Sequence, residues 1–81
     1  MALEQRLGAT LRRLRIAAKL SQEELGEVAD IHRNYIGAVE RGEKRISVSA
    51  LDKIVRALGL TLGQFFTQLE AEADAGGDTS L

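Results

Sequence analysis

The chain has 81 residues and no cysteine. That length sets a single domain that buries only about 60–65% of its unfolded surface, and the missing thiols exclude disulfides, a cysteine nucleophile and a thiolate metal site. The net charge of −1 hides an asymmetry: all eleven Lys and Arg residues stand at or before Arg56 against eight acids in the first 66 positions, a balance of +3, while the last fifteen residues carry −4.

The first helix is expected from about Leu3 to Lys19, where Leu3, Leu7, Leu11, Leu14 and Ala18 fall on one face of a 3.6-residue period. Gly8 lies inside it and reads as a close approach to a neighbour. Ser21 then caps a second helix, with Glu24 three residues on completing a capping box. Leu25, Val28 and Ala29 give that helix its apolar face. Asp30-Ile31-His32 breaks the pattern. A third helix runs from about Arg33 to Arg41, burying Ile36 and Val39, and Gly42 closes it as a left-handed cap. Residues 43–48 form a polar connection anchored by Ile46. A fourth helix is expected after Ser49, carrying Leu51, Ile54, Val55 and Leu58 and ending at Gly59. Thr61 and Gln64 make a second capping box for a fifth helix with Leu62, Phe65, Phe66 and Leu69.

From about Ala71 the string AEADAGGDTSL loses periodicity and is expected to be disordered. The domain expectation is therefore 1–70 folded, with a C-terminal dimerisation helix, and 71–81 an acidic tail. The fold class is all-α, a compact five-helix bundle. No apolar run approaches the roughly 18–20 residues of a membrane span. The start of the chain has no apolar stretch of signal-peptide type. A reducing cytoplasm is the expected location, with no membrane partner.

Helices two and three, SQEELGEVADIHRNYIGAVERG, form a helix-turn-helix. The outward face of the third helix carries Arg33, Asn34, Gly37, Ala38 and Arg41. It mixes forked donors, an amide and small residues, which suits a helix that enters the major groove of double-stranded DNA. Arg33 can donate two parallel bonds to guanine O6 and N7, or meet a phosphate. Asn34 can pair with adenine or donate to a phosphate. Ala38 can touch a thymine methyl. Ser21 and Gln22 open the second helix, whose free N–H groups and positive dipole end favour a phosphate. Arg41, Lys44 and Arg45 flank the end of the third helix, a placement that suits phosphate or minor-groove contact. His32 reads either as a DNA contact or as a helix-start residue with a solvated ring. No metal or cofactor set is present, since His32 has no second His or Cys to join it.

The stretch from Arg12 to Phe66 resembles the lambda-repressor-like, or Xre-type, helix-turn-helix family. The residues that carry the resemblance are LRRLR, then LSQEELGEVADIHRNYIGAVERG, then SALDKIVRALGLTLGQFF. Within that family, IHRNYIGAVERGEKRISV is most similar to the small controller proteins of restriction–modification systems. The resemblance implies a dimeric transcription factor, with Tyr35 facing DNA (a packing role is the alternative), Gln22 on a phosphate, and Arg15 and Glu40 in a partly buried ion pair. The chain departs from the family pattern at Gly26, where Ala is usual, and at Asp30, where Gly is frequent.

Four apolar side chains on one short helix exceed what so small a core can hold. One Phe is expected to fill the core, and the set Leu62, Phe65, Phe66 and Leu69 is expected to supply a homodimer interface through its remaining members, setting two recognition helices about 34 Å apart on a near-palindromic site; the alternative is a fully internal cluster. Helix five also offers a surface that could meet RNA polymerase. The competing class is a protein-interaction module such as an antitoxin, with the acidic tail folding on a partner. An enzyme is not expected: no paired carboxylates and no phosphate-cradling glycine loop are present.

Overall fold

The computed structural model describes residues 2–76. Five helices follow in chain order: α1 Leu3–Ala17, α2 Gln22–Ala29, α3 Arg33–Glu40, α4 Val48–Ala57 and α5 Leu62–Gly76. No strand occurs among the described residues. The third helix packs across both α1 and α2, α4 lies against α2, and α5 closes the bundle over α1 and α4. Leu11, Leu25, Ile36, Val39, Leu51, Ile54, Val55 and Phe65 form one core drawn from every helix. Each such side chain contributes about 1.5–3 kcal/mol by leaving water.

Local chemistry sets the ends of these helices. Ser21 Oγ accepts from the Glu24 amide at 2.9 Å, and the Glu24 carboxylate accepts from the Ser21 amide at 2.8 Å. Thr61 and Gln64 repeat that reciprocal pair at 3.1 and 2.9 Å. Gly42 adopts φ 74° and Gly59 φ 82°. After α3 the Glu43 amide reaches the Ala38 carbonyl and the Gly42 amide that of Val39, both at 3.0 Å, which satisfies the orphan carbonyls of the last turn. The first helix ends the same way, with Lys19 at φ 62° where a glycine is usual. That left-handed residue stops the helix at Ala17, two residues short of the sequence expectation.

Other expectations are corrected. The fourth helix is capped by Ser47, whose Oγ accepts from the Ala50 amide at 3.1 Å, and Ser49 lies inside its first turn. Ile46, packed against the core just before the cap, fixes that start. Val28 does not share the buried face of α2 and is 65% exposed. The fifth helix does not stop near residue 70 but continues to Gly76, so residues 71–76 of the expected tail are helical. Ala and Glu are strong helix formers, and Glu72 is tied back to α1. Its carboxylate accepts from buried Thr10 Oγ1 at 3.3 Å and from Arg13 Nε at 2.9 Å, while Gln68 Oε1 accepts from Arg13 Nη2 at 3.0 Å. The expected disorder of residues 77–81 lies outside the described residues.

Candidate nucleic-acid interface

The turn between α2 and α3 is made by Asp30, at φ 60° and ψ 47°, which permits the Ile31 amide to reach back to the Gly26 carbonyl at 2.9 Å. Aspartate tolerates this left-handed conformation better than most residues. Gly26 is buried, and a methyl group there would overlap the Ile31 carbonyl oxygen. The smaller residue lets the turn lie closer to α2 than the usual alanine would allow.

His32 is the N-cap of α3: its Nδ1 accepts from the Asn34 amide at 3.0 Å. Ile36 and Val39 are buried, while Arg33 and Asn34 are exposed and Ala38 is half-exposed. Gly37 is buried, beneath the Gln22 amide and the Arg41 guanidinium, and does not form open surface. A shallow open cleft at the start of α2 and α3 brings together Ser21, Gln22, Glu23, Arg33 and Asn34. Ser21 takes the amides of Glu24 and Leu25. That leaves the amides of Gln22 and Glu23 as the open donors of the helix start.

Beneath this surface lies a buried polar knot. Arg15 Nε donates to Glu40 Oε2 at 2.6 Å and Nη2 to Oε1 at 3.0 Å, a two-pronged pair with side chains 11% and 3% exposed. The third guanidinium nitrogen donates to the Leu20 carbonyl at 2.8 Å. Gln22 Nε2 donates to Glu40 Oε1 at 3.0 Å. Three elements, α1, α2 and α3, therefore meet on one carboxylate. The bonds to Glu40 hold the Arg15 pKa above its ordinary value. Sequence reasoning placed Gln22 on a phosphate and missed its bond to Glu40. The amide keeps a second hydrogen for an outside acceptor.

Tyr35 is half-buried, with its ring against the core and Lys44 Nζ 5.4 Å from the ring centroid. Arg41, Lys44 and Arg45 are all exposed. Lys44 and Arg45 border an apolar cleft formed with Leu3, Leu7 and Ile46. At the opposite end of the chain the expected interface divides. Phe65 is fully buried and Leu69 is 5% exposed, so both belong to the core of one chain and are corrected from interface to interior. The α5 face turns inward once α1 and α4 supply the burial that composition alone appeared to deny. Leu62 is half-buried, and Phe66 is 41% exposed with its ring edge-on to Phe65. Among the described residues, no helix is long and apolar enough to cross a membrane.

A profile of the helix-turn-helix family matches residues 11–65. The control protein C.SmaI of Serratia marcescens is 33% identical over 76 residues, covering 94% of this chain and 90% of its own. The control protein C.MunI of a Mycoplasma species is 37% identical over 68 residues, covering 83% and 92%. The solved restriction–modification controller protein C.AhdI from Aeromonas hydrophila superposes with a TM-score of 0.75 at 36% identity, covering 78% and 96%. The chain belongs to the helix-turn-helix family of DNA-binding transcriptional regulators, which are not enzymes, and its similarities run to the restriction–modification controller proteins within it.

Proposed function

We propose that this protein regulates transcription as a homodimer on a near-palindromic operator in double-stranded DNA, and that the genes it controls belong to a restriction–modification system. One observation carries the reading. Arg33 and Asn34 project outward from a helix whose other face is core, directly beside the open start of α2. In this arrangement Arg33, Asn34 and Ala38 meet base edges. Tyr35, seated partly in the core, contributes its exposed edge. Ser21, Gln22, His32, Arg41, Lys44 and Arg45 meet the sugar–phosphate backbone on either side. Phe66 and the exposed part of Leu62 pair two copies. We infer a cytoplasmic location, where the outer surface of α5 can also meet RNA polymerase.

The test is a salt series of affinity on two duplexes, one enriched from a random pool by the protein itself and one with that sequence shuffled. Each neutralised phosphate steepens the plot of log affinity against log salt by about 0.9. Flat plots, or equal affinity for the two duplexes, overturn the reading. Sedimentation at micromolar concentration tests the pairing of two copies. An adjoining endonuclease and methyltransferase gene would establish the regulated system.

A further inference from the structure

The arginines of the DNA-reading face do not stand alone. Arg33 Nη1 lies 3.4 Å from Glu23 Oε2, Arg41 Nε 3.1 Å from Glu43 Oε2, and Arg45 Nε 3.5 Å from Glu4 Oε2. The Arg33 and Glu23 side chains are 58% and 66% exposed. Exposed pairs of this kind add little to stability. Fold stability therefore does not account for a carboxylate beside each of these arginines. Glu23 in particular occupies the first turn of α2, inside the cleft that holds Ser21, Gln22, Arg33 and Asn34.

We propose that Glu23 is a specificity-determining residue, whose carboxylate opposes contact of Arg33 with a phosphate and tolerates contact of Arg33 with a guanine edge. The proposal rests on the DNA-binding reading above. A phosphate brings a full negative charge beside that of Glu23, and the carboxylate repels the approaching backbone. Guanine O6 and N7 are neutral acceptors. They occupy two of the five guanidinium N–H groups and leave others for Glu23. The carboxylate thus penalises the sequence-independent mode of binding more than the base-reading mode. Glu43 and Glu4 sit beside arginines assigned to the backbone. Backbone contacts carry no sequence information directly, so these two acids weaken binding to every duplex alike.

The experiment compares the full chain with Glu23→Gln and Glu43→Gln on the enriched and the shuffled duplex. Glu23→Gln is expected to strengthen binding to the shuffled duplex by about three- to tenfold and to the enriched duplex by a smaller factor, so the ratio of the two affinities falls. The salt plot on the shuffled duplex steepens by up to about one. Glu43→Gln is expected to strengthen both by the same factor. Equal factors on both duplexes for Glu23→Gln, or no strengthening on the shuffled one, overturn the proposal while leaving the DNA-binding reading intact. Failure of the unaltered chain to bind either duplex would instead remove that underlying reading.

Discussion

The carbonyl oxygen of Val39 lies so close to the Cα of Gly8 that a methyl group on Gly8 would overlap it, and would come within 2.7 Å of the Glu40 carbonyl oxygen. The first helix thus touches the backbone of α3 directly, with no side chain between them. Gly8→Ala gains about 1 kcal/mol of helix propensity. It meets backbone atoms that cannot swing aside, and overpacking costs about 1–3 kcal/mol or more. A net loss of up to about 2 kcal/mol is expected in urea denaturation. A raised midpoint would mean that the two helices separate freely.

The Arg15–Glu40 pair is largely buried, and each guanidinium nitrogen of Arg15 donates one bond. Arg15→Ala leaves the Glu40 carboxylate with only Gln22 and is expected to cost about 3–5 kcal/mol. The double change Arg15→Met with Glu40→Leu removes both charges and is expected to cost less than Arg15→Ala alone. A denaturation cycle with Arg15→Met, Glu40→Leu and the double variant measures this; additive costs would contradict a coupled pair.

Lys19 holds a left-handed conformation that glycine adopts without strain. Its side chain is exposed, so little packing is lost on removal. Lys19→Gly is expected to stabilise by about 1 kcal/mol, a rise in Tm of about 4–8 °C for a domain of this size. Lys19→Ala keeps the strain and serves as the comparison. Equal melting of the two variants would contradict the account.

The Ser21 backbone amide, and to a smaller extent its side chain, hold the Glu24 carboxyl below the usual carboxylate range. The unfolded chain therefore binds this proton more readily than the folded one. The contribution is fully present above the ordinary carboxylate pKa and is lost as pH falls through the lowered one. Glu24→Gln is expected to flatten the acid limb of stability against pH while leaving the rest of the profile in place. An unaltered acid limb would show that the box does not depend on charge.

Base reading and backbone contact separate on mutation. Arg33→Ala is expected to cost about 1–3 kcal/mol on the enriched duplex and to relax preference at one base position. Lys44→Ala is expected to weaken all duplexes alike and to reduce the salt slope by about one. Unchanged sequence preference in Arg33→Ala would remove that residue from base reading.

Much of the architecture was legible because local rules and core pattern agreed. Ser21 with Glu24, Thr61 with Gln64, and Gly42 and Gly59 mark helix ends by chemistry that needs no tertiary partner. The misses have tertiary causes. Ser47 and Ser49 are equally good caps, and the choice fell to Ile46, which had to reach the core. Phe65 and Leu69 looked surplus only because a sequence does not state how α1 and α4 converge. The helix through residues 71–76 is held by Glu72, whose partners Thr10 and Arg13 lie at the other end of the chain. Within the interface, the outward position of Arg33 followed from the 3.6-residue period. The covering of Gly37 by Gln22 and Arg41, and the bond from Gln22 to Glu40, depend on long side chains crossing between helices. No periodicity encodes that.

The knot on Glu40 has an evolutionary corollary. A helix pinned by α1 behind, by α2 above and by a tight bend before it has almost no latitude to tilt or slide. Descendants of this scaffold that acquire new DNA targets must therefore do so by exchanging the few outward side chains, one letter of the binding site at a time, on a mount that stays fixed.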